Sequence, residues 1–582
     1  MRSHITRLLE QSLQRLSDAG ALRLPDEVTV SVERTRDSAH GDLASNIALL
    51  LAKTAGTKPR DLAQRIADNL PPSAHVSRVE IAGPGFINFF LSERSGQAVI
   101  EAIHAAGDRY GRSDLGRGEK ILVEFVSTNP TGPLHVGHGR GAAYGAAVAN
   151  LLDACGYDVT REYYVNDAGR QMDILALSVW LRYLELRGSP VSFPENAYQG
   201  DYIREIAAGL GARSGMDFMP DTPGLPTAIT GIADPEDRLD ATIEYAKQHL
   251  GAAAYQAIHT AARAEILRDI RTELESMNIR FDNWYSEQSL FDSGKVDACI
   301  ERLRQGGELY HENGAAWFRS THYGDEKDRV MVRENGQKTY FASDIAYHLD
   351  KFARGFDRVI DVWGADHHGY IPRVKGALKA LGEDPERLEI LLVQFAVLYR
   401  GSVKVQMSTR SGNYVTLRDL CAEIGKDAAR FFYVTRRSEQ HLDFDLELAK
   451  SQSNDNPVYY IQYAHARICS VLEQLRTRNL EYRPERALTN LALLRTEHEL
   501  ALLRTLPKYP EVLIAAAGSR EPHQLAFYLR DLATEFHGYY NSHQFLIEDV
   551  RLREARLALV AAVRQVIRNG LAILGISAPE TM

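Results

Sequence analysis

One stretch of the chain dictates how its central domain can begin. Lys120 to Val126 (KILVEFV) is a short, mostly apolar run of the kind that forms a buried strand. The loop after it, Asn129-Pro130-Thr131-Gly132-Pro133-Leu134-His135-Val136-Gly137-His138, carries glycine and proline. The residues from Leu134 to Leu152 are rich in alanine and free of proline, which predicts a helix. Pro133 fits the first turn of that helix, where a missing N–H costs nothing. A second strand-like run, YDVTREYYVND, comes next. Strand, helix, strand in this order is the start of a parallel sheet.

The loop carries chemistry of its own. His135 and His138 stand three apart and so share a helical face. Both imidazoles can point at an anion over the helix N-terminus, where free N–H groups and the dipole favour negative charge. Gly137 leaves room for a base or sugar to lie on the backbone. A metal pair is disfavoured, because metal-binding histidines on helices more often sit four apart with a carboxylate near. The run Gly137-His138-Gly139-Arg140-Gly141-Ala142 does satisfy the dinucleotide fingerprint G-x-G-x-x-A. Its glycines fall inside the predicted helix, however, and not in the tight turn after the strand. The pattern implies a nucleotide-phosphate site.

His-x-Gly-His after a first strand resembles the HIGH signature of class I aminoacyl-tRNA synthetases, and VEFVSTNPTGPLHVGHGRGA resembles its arginyl-tRNA synthetase version. The resemblance extends over nearly the whole chain. It implies an α/β catalytic core on a Rossmann-type parallel sheet at 118–424, with a connective insertion near 168–300. It places an N-terminal α/β domain at 1–110 and a C-terminal all-α helical bundle at 425–582. The implied substrates are ATP with Mg2+, L-arginine and tRNA(Arg), joined through arginyl-adenylate, with activation that needs bound tRNA. Pro130 through His138 then match the ATP contacts, as do Gly364, Asp366 and His367 of DVWGADHHGY. Glu124, Asn129, Tyr340, Asp344 and His368 match the contacts to arginine.

The second signature of the class is Lys-Met-Ser-Lys-Ser, whose lysines neutralise pyrophosphate. Its counterpart here is Gln406-Met407-Ser408-Thr409-Arg410-Ser411-Gly412, without either lysine. Gln406, Met407 and Ser408 match further ATP contacts. Some family members carry a lysine just before the first histidine, but NPTGPL has none. Lys404 and Arg410 are the nearest cations, and with Ser408, His135 and His138 they form the expected catalytic set. The two histidines are expected to carry more of the phosphate charge than is usual for the class.

Arginine offers five donors and no acceptor, so its pocket calls for carboxylates. Glu124 lies within an apolar run, which points to a buried partner charge; a strand-end carboxylate facing water is the alternative. Asp344, in YFASDIAYHLDK, could also cap a helix. Adjacent histidines on a strand face opposite ways, which argues against a metal shared by His367 and His368.

The N-terminal MRSHITRLLEQSLQRLSDAG reads as an amphipathic helix and lacks the apolar core of a signal peptide. Gly41-Asp42…Asn46 and GFINFFL resemble the family's N-terminal domain, which contacts the tRNA D-loop; taken alone, Asp42 and Asn46 are equally helix caps. Residues 188–235, dense in proline, glycine and aspartate, read as an insertion, after which the sheet is expected to resume at DRVIDVW and LEILLVQFAVLY. From Asp427 helical periodicity dominates. Tyr459, Tyr460, Tyr463 and Arg467, in a stretch resembling the family's anticodon-binding domain, have the spacing to stack on unpaired bases; plain core packing is the equal alternative for any one tyrosine.

A net charge of −9 argues mildly against a nucleic-acid partner. The acidic excess lies entirely in 111–424, with 35 basic and 45 acidic residues, so local clusters decide the matter. Cys155, Cys299, Cys421 and Cys469 lie far apart with no C-x-x-C, so neither structural zinc nor a disulfide framework is expected, nor any tightly bound cofactor. No apolar run approaches the roughly 20 residues of a membrane span. A cytoplasmic monomer is the expected state. Two other readings stay open: a HIGH-type nucleotidyltransferase with a small-molecule product, and a tRNA-binding paralogue without catalysis.

Overall fold

The computed structural model describes residues 1–25, 28–35, 37–189, 191–214, 216–219, 227–405 and 415–582. Its centre is β1 (Lys120–Glu124), in which Ile121, Leu122 and Val123 are fully buried, as a central parallel strand requires. The helix that follows, α1 (Val136–Ala154), starts later than expected. His135 is its N-cap, so Pro133 lies in the loop and not in the first turn. Glycine and alanine along α1 let it lie close on the sheet; a side chain at Gly145 would meet the Phe125 ring at 2.5 Å.

β2 (Asp158–Val165) pairs in parallel with β1. Helices α2 (Arg170–Leu186), Asp201–Ser214, Thr227–Thr230 and α3 (Pro235–Ser276) come next, the last broken at Gly251 with φ +71°. β3 (Asn283–Ser286) then joins the edge beside β2, followed by α4 (Tyr340–Ala353), β4 (Arg358–Gly364) and β5 (Leu388–Val393). The strand order is β5-β4-β1-β2-β3, all parallel. The chain winds outward from β1 to β3 and then crosses to β4, so its direction reverses between β1 and β4. Open sheets of this kind take ligands beyond the carboxyl ends of the strands at that reversal.

The sheet therefore resumes before DRVIDVW. The segment NWYS is too short and polar to signal a strand, and Trp284 settles it by stacking on Tyr163 at 4.4 Å. LEILLVQFAVLY is also not one strand. It breaks at Gln394-Phe395, and Ala396–Arg400 continues in a separate small sheet beside Leu442–Asp445. Arg140 of α1, fully buried, holds the break by donating to the carbonyls of Gln394, Gln440 and Arg437 at 2.7, 2.8 and 2.8 Å.

Upstream, helix Arg2–Asp18 and an antiparallel sheet of four strands share a core of their own. Asp42 accepts the Leu91 N–H at 2.8 Å and ties two of those strands together. Asn46 precedes Ile47–Leu51 without a side-chain cap bond, so neither residue caps a helix through its side chain. Helix Glu93–Ala106 leaves this unit and buries Val99, Ile100 and Ile103 in the main core. The C-terminal bundle is framed by α5 (Lys426–Val434), α6 (Pro457–Thr477), α7 (His523–Ser542) and α8 (Val550–Ile573). The architecture is thus an α/β parallel-sheet core with an N-terminal α/β unit and a helical C-terminus. Among the described residues no helix is long and apolar enough to cross a membrane.

Candidate active site at the sheet reversal

A cavity of about 600 Å3 opens at the ends of β1, β4 and β5, lined by Glu124, Asn129, His135, His138, Asp344 and Phe395 among others. The two histidines build the first turn of α1. His135 Nδ1 accepts the Gly137 N–H at 3.1 Å, and His138 Nδ1 accepts the His135 N–H at 3.3 Å. Their rings stack with centroids 3.6 Å apart. The Val136 N–H goes to the Val415 carbonyl and the His138 N–H to the His135 carbonyl. The turn is therefore capped from within, and it does not present the open backbone cradle expected from the sequence. Because each Nδ1 accepts, the proton of each neutral ring sits on Nε2. Burial lowers His135, and burial followed by the His135 ring pushes His138 down to about 3. The pair offers neutral N–H donors.

Glu124, Glu162 and Asp361 stand level with one another on β1, β2 and β4 and are all buried. Three carboxylates in a row across a sheet need cations, since an unpaired buried charge costs several kcal/mol. α4 provides them from one face. Lys351, wholly buried, donates to Glu124 Oε2 at 2.5 Å and to Asp361 Oδ1 at 2.8 Å. Arg354 grips Glu162 with two bonds at 2.6 and 2.7 Å, and the Tyr347 hydroxyl adds a third at 2.7 Å. His348 Nε2 donates to Asp361 Oδ2 at 2.8 Å. Burial would raise Asp361, but the Lys351 ammonium and His348 outweigh it and hold the carboxyl below its ordinary range. At Glu124 burial prevails over Lys351, and the carboxyl stays above its range.

Two further acids are less well supplied. Burial raises Asp344, whose hydrogen-bond partner is the Tyr370 hydroxyl and not a cation. Glu287, just past β3, is buried and accepts the Ser343 hydroxyl at 2.7 Å. Burial, with the Asp344 charge added, pushes Glu287 up to about 7. Glu287 lines a second cavity of about 960 Å3 with Gln171, Lys338 and Tyr340.

Between Glu124 and Asn129 the backbone turns in a strained way. The Ser127 N–H reaches the Phe125 carbonyl at 3.0 Å across Val126, with φ +70° at Val126 and +44° at Ser127. A β-branched residue there costs of the order of 1–3 kcal/mol and persists only when neighbours impose it. Ser127 does so, donating to Glu124 Oε1 at 2.8 Å and accepting the Tyr164 N–H at 3.1 Å.

The other expected residues divide. Asn129 reaches the cavity and donates to Gln171. Gly364, Asp366 and His367 line it, but the two histidines lie in the 3-10 turn Ala365–Tyr370, so the strand argument about their faces does not apply. His368 is exposed and does not line the cavity; Tyr370 does. Tyr340 begins α4 after the N-cap Thr339, so Asp344 sits inside the helix and does not cap it. Tyr340 faces the second cavity and is 54% exposed. Thr131, Gly132 and Pro133 line a third cavity of about 1040 Å3, which adjoins the first through Asn129, His135 and His138. Pro130, Leu134 and Val136 are core residues. Lys404 is exposed on the strand Val403–Lys404 and lines none of the three cavities. Gln406, Met407, Ser408 and Arg410 lie outside the described residues. The flank after them is tied to the first signature, the Leu417 N–H donating to the Leu134 carbonyl at 2.9 Å.

Lys351, His348, Asp361 and Glu287 went unmarked in the sequence. Asp344, His348 and Lys351 fall at i, i+4 and i+7, and Asp361 interrupts an apolar strand as Glu124 does; both signals were there to read. On α6, Tyr459 stacks on Tyr463 at 5.8 Å, and Tyr460 packs on His537 at 4.4 Å. Arg467 lies over Tyr463 at 4.4 Å and donates to His537 Nδ1 at 3.2 Å. All four residues are half-buried, so they are neither simple core nor loose surface.

A parallel sheet wound both ways, with an imidazole-capped turn at its reversal and a helical C-terminal bundle, defines a class I aminoacyl-tRNA synthetase. The profile of the class I (R) tRNA synthetase catalytic domain matches residues 99–187 and 243–446. The arginyl tRNA synthetase N terminal domain matches 3–91, and the DALR anticodon binding domain matches 461–582. A curated arginine–tRNA ligase of Thioalkalivibrio sulfidiphilus (strain HL-EbGR7) is 60% identical, covering 100% of both chains. One from Coxiella burnetii (strain CbuK_Q154) is 55% identical over 100% of this chain and 99% of its own. The solved arginyl-tRNA synthetase of Thermus thermophilus shares the fold with a TM-score of 0.73 at 23% identity, covering 100% of both chains. The chain belongs to the arginyl-tRNA synthetase family.

Proposed function

We propose that the cavity at the reversal forms arginyl-adenylate from ATP and L-arginine and passes the arginyl group to the 3′ end of tRNA(Arg). The observation that carries this is Asp344, which lines this cavity with the Tyr370 hydroxyl and no cation as its hydrogen-bond partner, backed by Glu287, which lines the second cavity and feels the Asp344 charge. A guanidinium beside them brings the charge they lack and offers donors in a rigid fork. Glu124 and Asn129 serve the same substrate from the loop side. The arginine carboxylate attacks the α-phosphorus, the bond to the bridging oxygen of the β-phosphate breaks, and pyrophosphate leaves. A ribose hydroxyl of the tRNA then displaces AMP from the acyl carbon.

His135 and His138 hold Nε2–H donors toward the phosphates, and Gly364, Asp366 and His367 meet the nucleoside. Mg2+ accompanying ATP would be held mainly through the substrate phosphates and would neutralise charge there, beside the neutral imidazoles of His135 and His138. Arg410 and Lys404 are the proposed cations for the departing pyrophosphate, and Ser408, Gln406 and Met407 the further proposed ATP contacts. The N-terminal unit is assigned to the tRNA D-loop, and Tyr459, Tyr460, Tyr463 and Arg467 to the anticodon region. Activation requires bound tRNA in this reading.

Pyrophosphate exchange with arginine, with and without tRNA(Arg), tests the whole. Exchange only when tRNA is present is the expected result, and exchange without tRNA removes the dependence. Absence under both conditions refutes adenylate formation; retained tRNA binding then identifies a non-catalytic paralogue.

A further inference from the structure

Residues 188–242 lie outside the stretch matched by the catalytic-domain profile, yet part of this segment reaches the nucleotide loop. The Tyr202 hydroxyl donates to the Thr131 carbonyl at 2.8 Å, and the Tyr198 hydroxyl lies in hydrogen-bond reach of the Thr131 side chain. Both tyrosines line the third cavity together with Thr131, Gly132, His135 and His138.

The strap that carries them is firmly built. The Tyr198 N–H donates to Ser178 Oγ of α2 at 3.0 Å, and Asn196 donates to Glu236 of α3 at 2.9 Å. Directly after Tyr202, in helix Asp201–Ser214, Ile203, Ile206 and Leu210 are buried in the main core. Tyr202 is thus presented to the loop by a packed framework, and its hydroxyl is the end that touches the loop backbone.

Gly132 makes the fit specific. A Cβ at this position would lie 3.0 Å from the Tyr202 hydroxyl oxygen and 3.2 Å from Cζ, tighter than ordinary contact. The hydroxyl therefore fills the space into which a side chain at 132 would begin, three residues before the helix cap His135. Holding the Thr131 carbonyl fixes the path of the backbone into that cap, and the cap in turn fixes the two Nε2–H donors.

We infer that Tyr202 is a positioning residue for adenylate formation, in which the inserted strap clamps the nucleotide loop through the Thr131 carbonyl and occupies the room that Gly132 leaves. The inference rests on the reading of this cavity as the adenylate-forming site. A hydrogen bond of this kind is worth roughly 1 kcal/mol, or about 5-fold in rate if it is made fully only when the loop is correctly set.

Pyrophosphate exchange in the presence of tRNA(Arg) tests it on the full chain with four proteins: wild type, Tyr202→Phe, Gly132→Ala, and the double variant. Tyr202→Phe keeps the ring and removes the hydroxyl that donates to the Thr131 carbonyl. The expected result is an about 5-fold lower kcat with KM for arginine unchanged and a thermal midpoint lowered by no more than about 4 °C. Gly132→Ala is expected to lower kcat in the wild-type background and to cost little more once the hydroxyl is gone, so the two losses fall short of multiplying. An unchanged kcat in Tyr202→Phe, a loss expressed in the arginine KM, or losses that multiply independently would each overturn the clamp. Failure of the wild-type chain to exchange would overturn the reading of the site as well, which separates the two.

Discussion

Replacing Lys351 by methionine gives the sharpest test of how the carboxylate row is held. Met keeps the length and apolar stem of the side chain and deletes the charge that Glu124 and Asp361 share. His348, bonded to Asp361, and Arg354, bonded to Glu162, remain, but neither replaces the ammonium between the two acids. The folded variant then relieves the repulsion by keeping a proton on one carboxyl. At pH 7 a carboxyl with an ordinary value of 4.5 lies about 2.5 units above its midpoint, and at about 1.36 kcal/mol per unit the proton costs about 3.4 kcal/mol. This agrees with the roughly 3–5 kcal/mol seen when one partner of a buried pair is removed. The folded variant binds a proton that its unfolded chain has released, so its stability falls as pH rises. Because burial already holds Glu124 above its ordinary range in the wild type, the deficit opens only above that raised value, stays below about 3.4 kcal/mol at pH 7, and levels at the variant's own higher value. All four tryptophans, Trp180, Trp284, Trp317 and Trp363, lie between residues 118 and 424, so urea unfolding followed by their fluorescence reports on that part of the chain. The gap between wild-type and variant midpoints should shrink as the buffer is taken from pH 7.5 to 5.5. An equal gap at both, or no gap, would refute the argument.

Glu287, raised to about 7, should make the KM for arginine climb as pH falls below that value, by at most about 10-fold per unit; Glu287→Gln should flatten the profile and raise KM roughly 100-fold at pH 8. His138→Ala removes one transition-state donor and should lower kcat in pyrophosphate exchange by about 10²–10³. Because burial and the His135 ring push His138 down to about 3, the wild-type ATP affinity should show no gain from protonation of His138 between pH 8 and 5, as read by comparing ATP titrations of wild type and His138→Ala. Val126→Gly accepts φ +70° without strain and should leave the unfolding free energy read in urea level or raise it by up to about 1 kcal/mol, while the arginine KM rises as the loop slackens.

The sheet was legible where the pattern was local. KILVEFV and YDVTREYYVND became neighbouring parallel strands, and the alanine-rich run became the helix between them. What escaped were features set by distant partners. The polar NWYS is a strand because Trp284 finds Tyr163, and LEILLVQFAVLY is two strands because Arg140, over 250 residues earlier, binds the Gln394 carbonyl. The site followed the same rule. Glu124 advertised itself as a charge in an apolar run, but its partner Lys351 lies 227 residues on. The histidines were visible at once. Their role as caps was not, because imidazole rarely serves as an N-cap and the usual helix-start signals are Ser, Thr, Asp and Asn.

That separation of 227 residues has a consequence during synthesis. At about 5–20 residues per second, Glu124 leaves the ribosome roughly 11–45 s before Lys351 exists. Through that interval β1 is a hydrophobic strand with no β4 beside it, a template for pairing with any other chain. The carboxylate at its end must stay in water until its ammonium arrives, and a strand end that insists on water resists premature stacking. The charge that later lines the cavity at the sheet reversal thus first acts as a gatekeeper for the nascent chain.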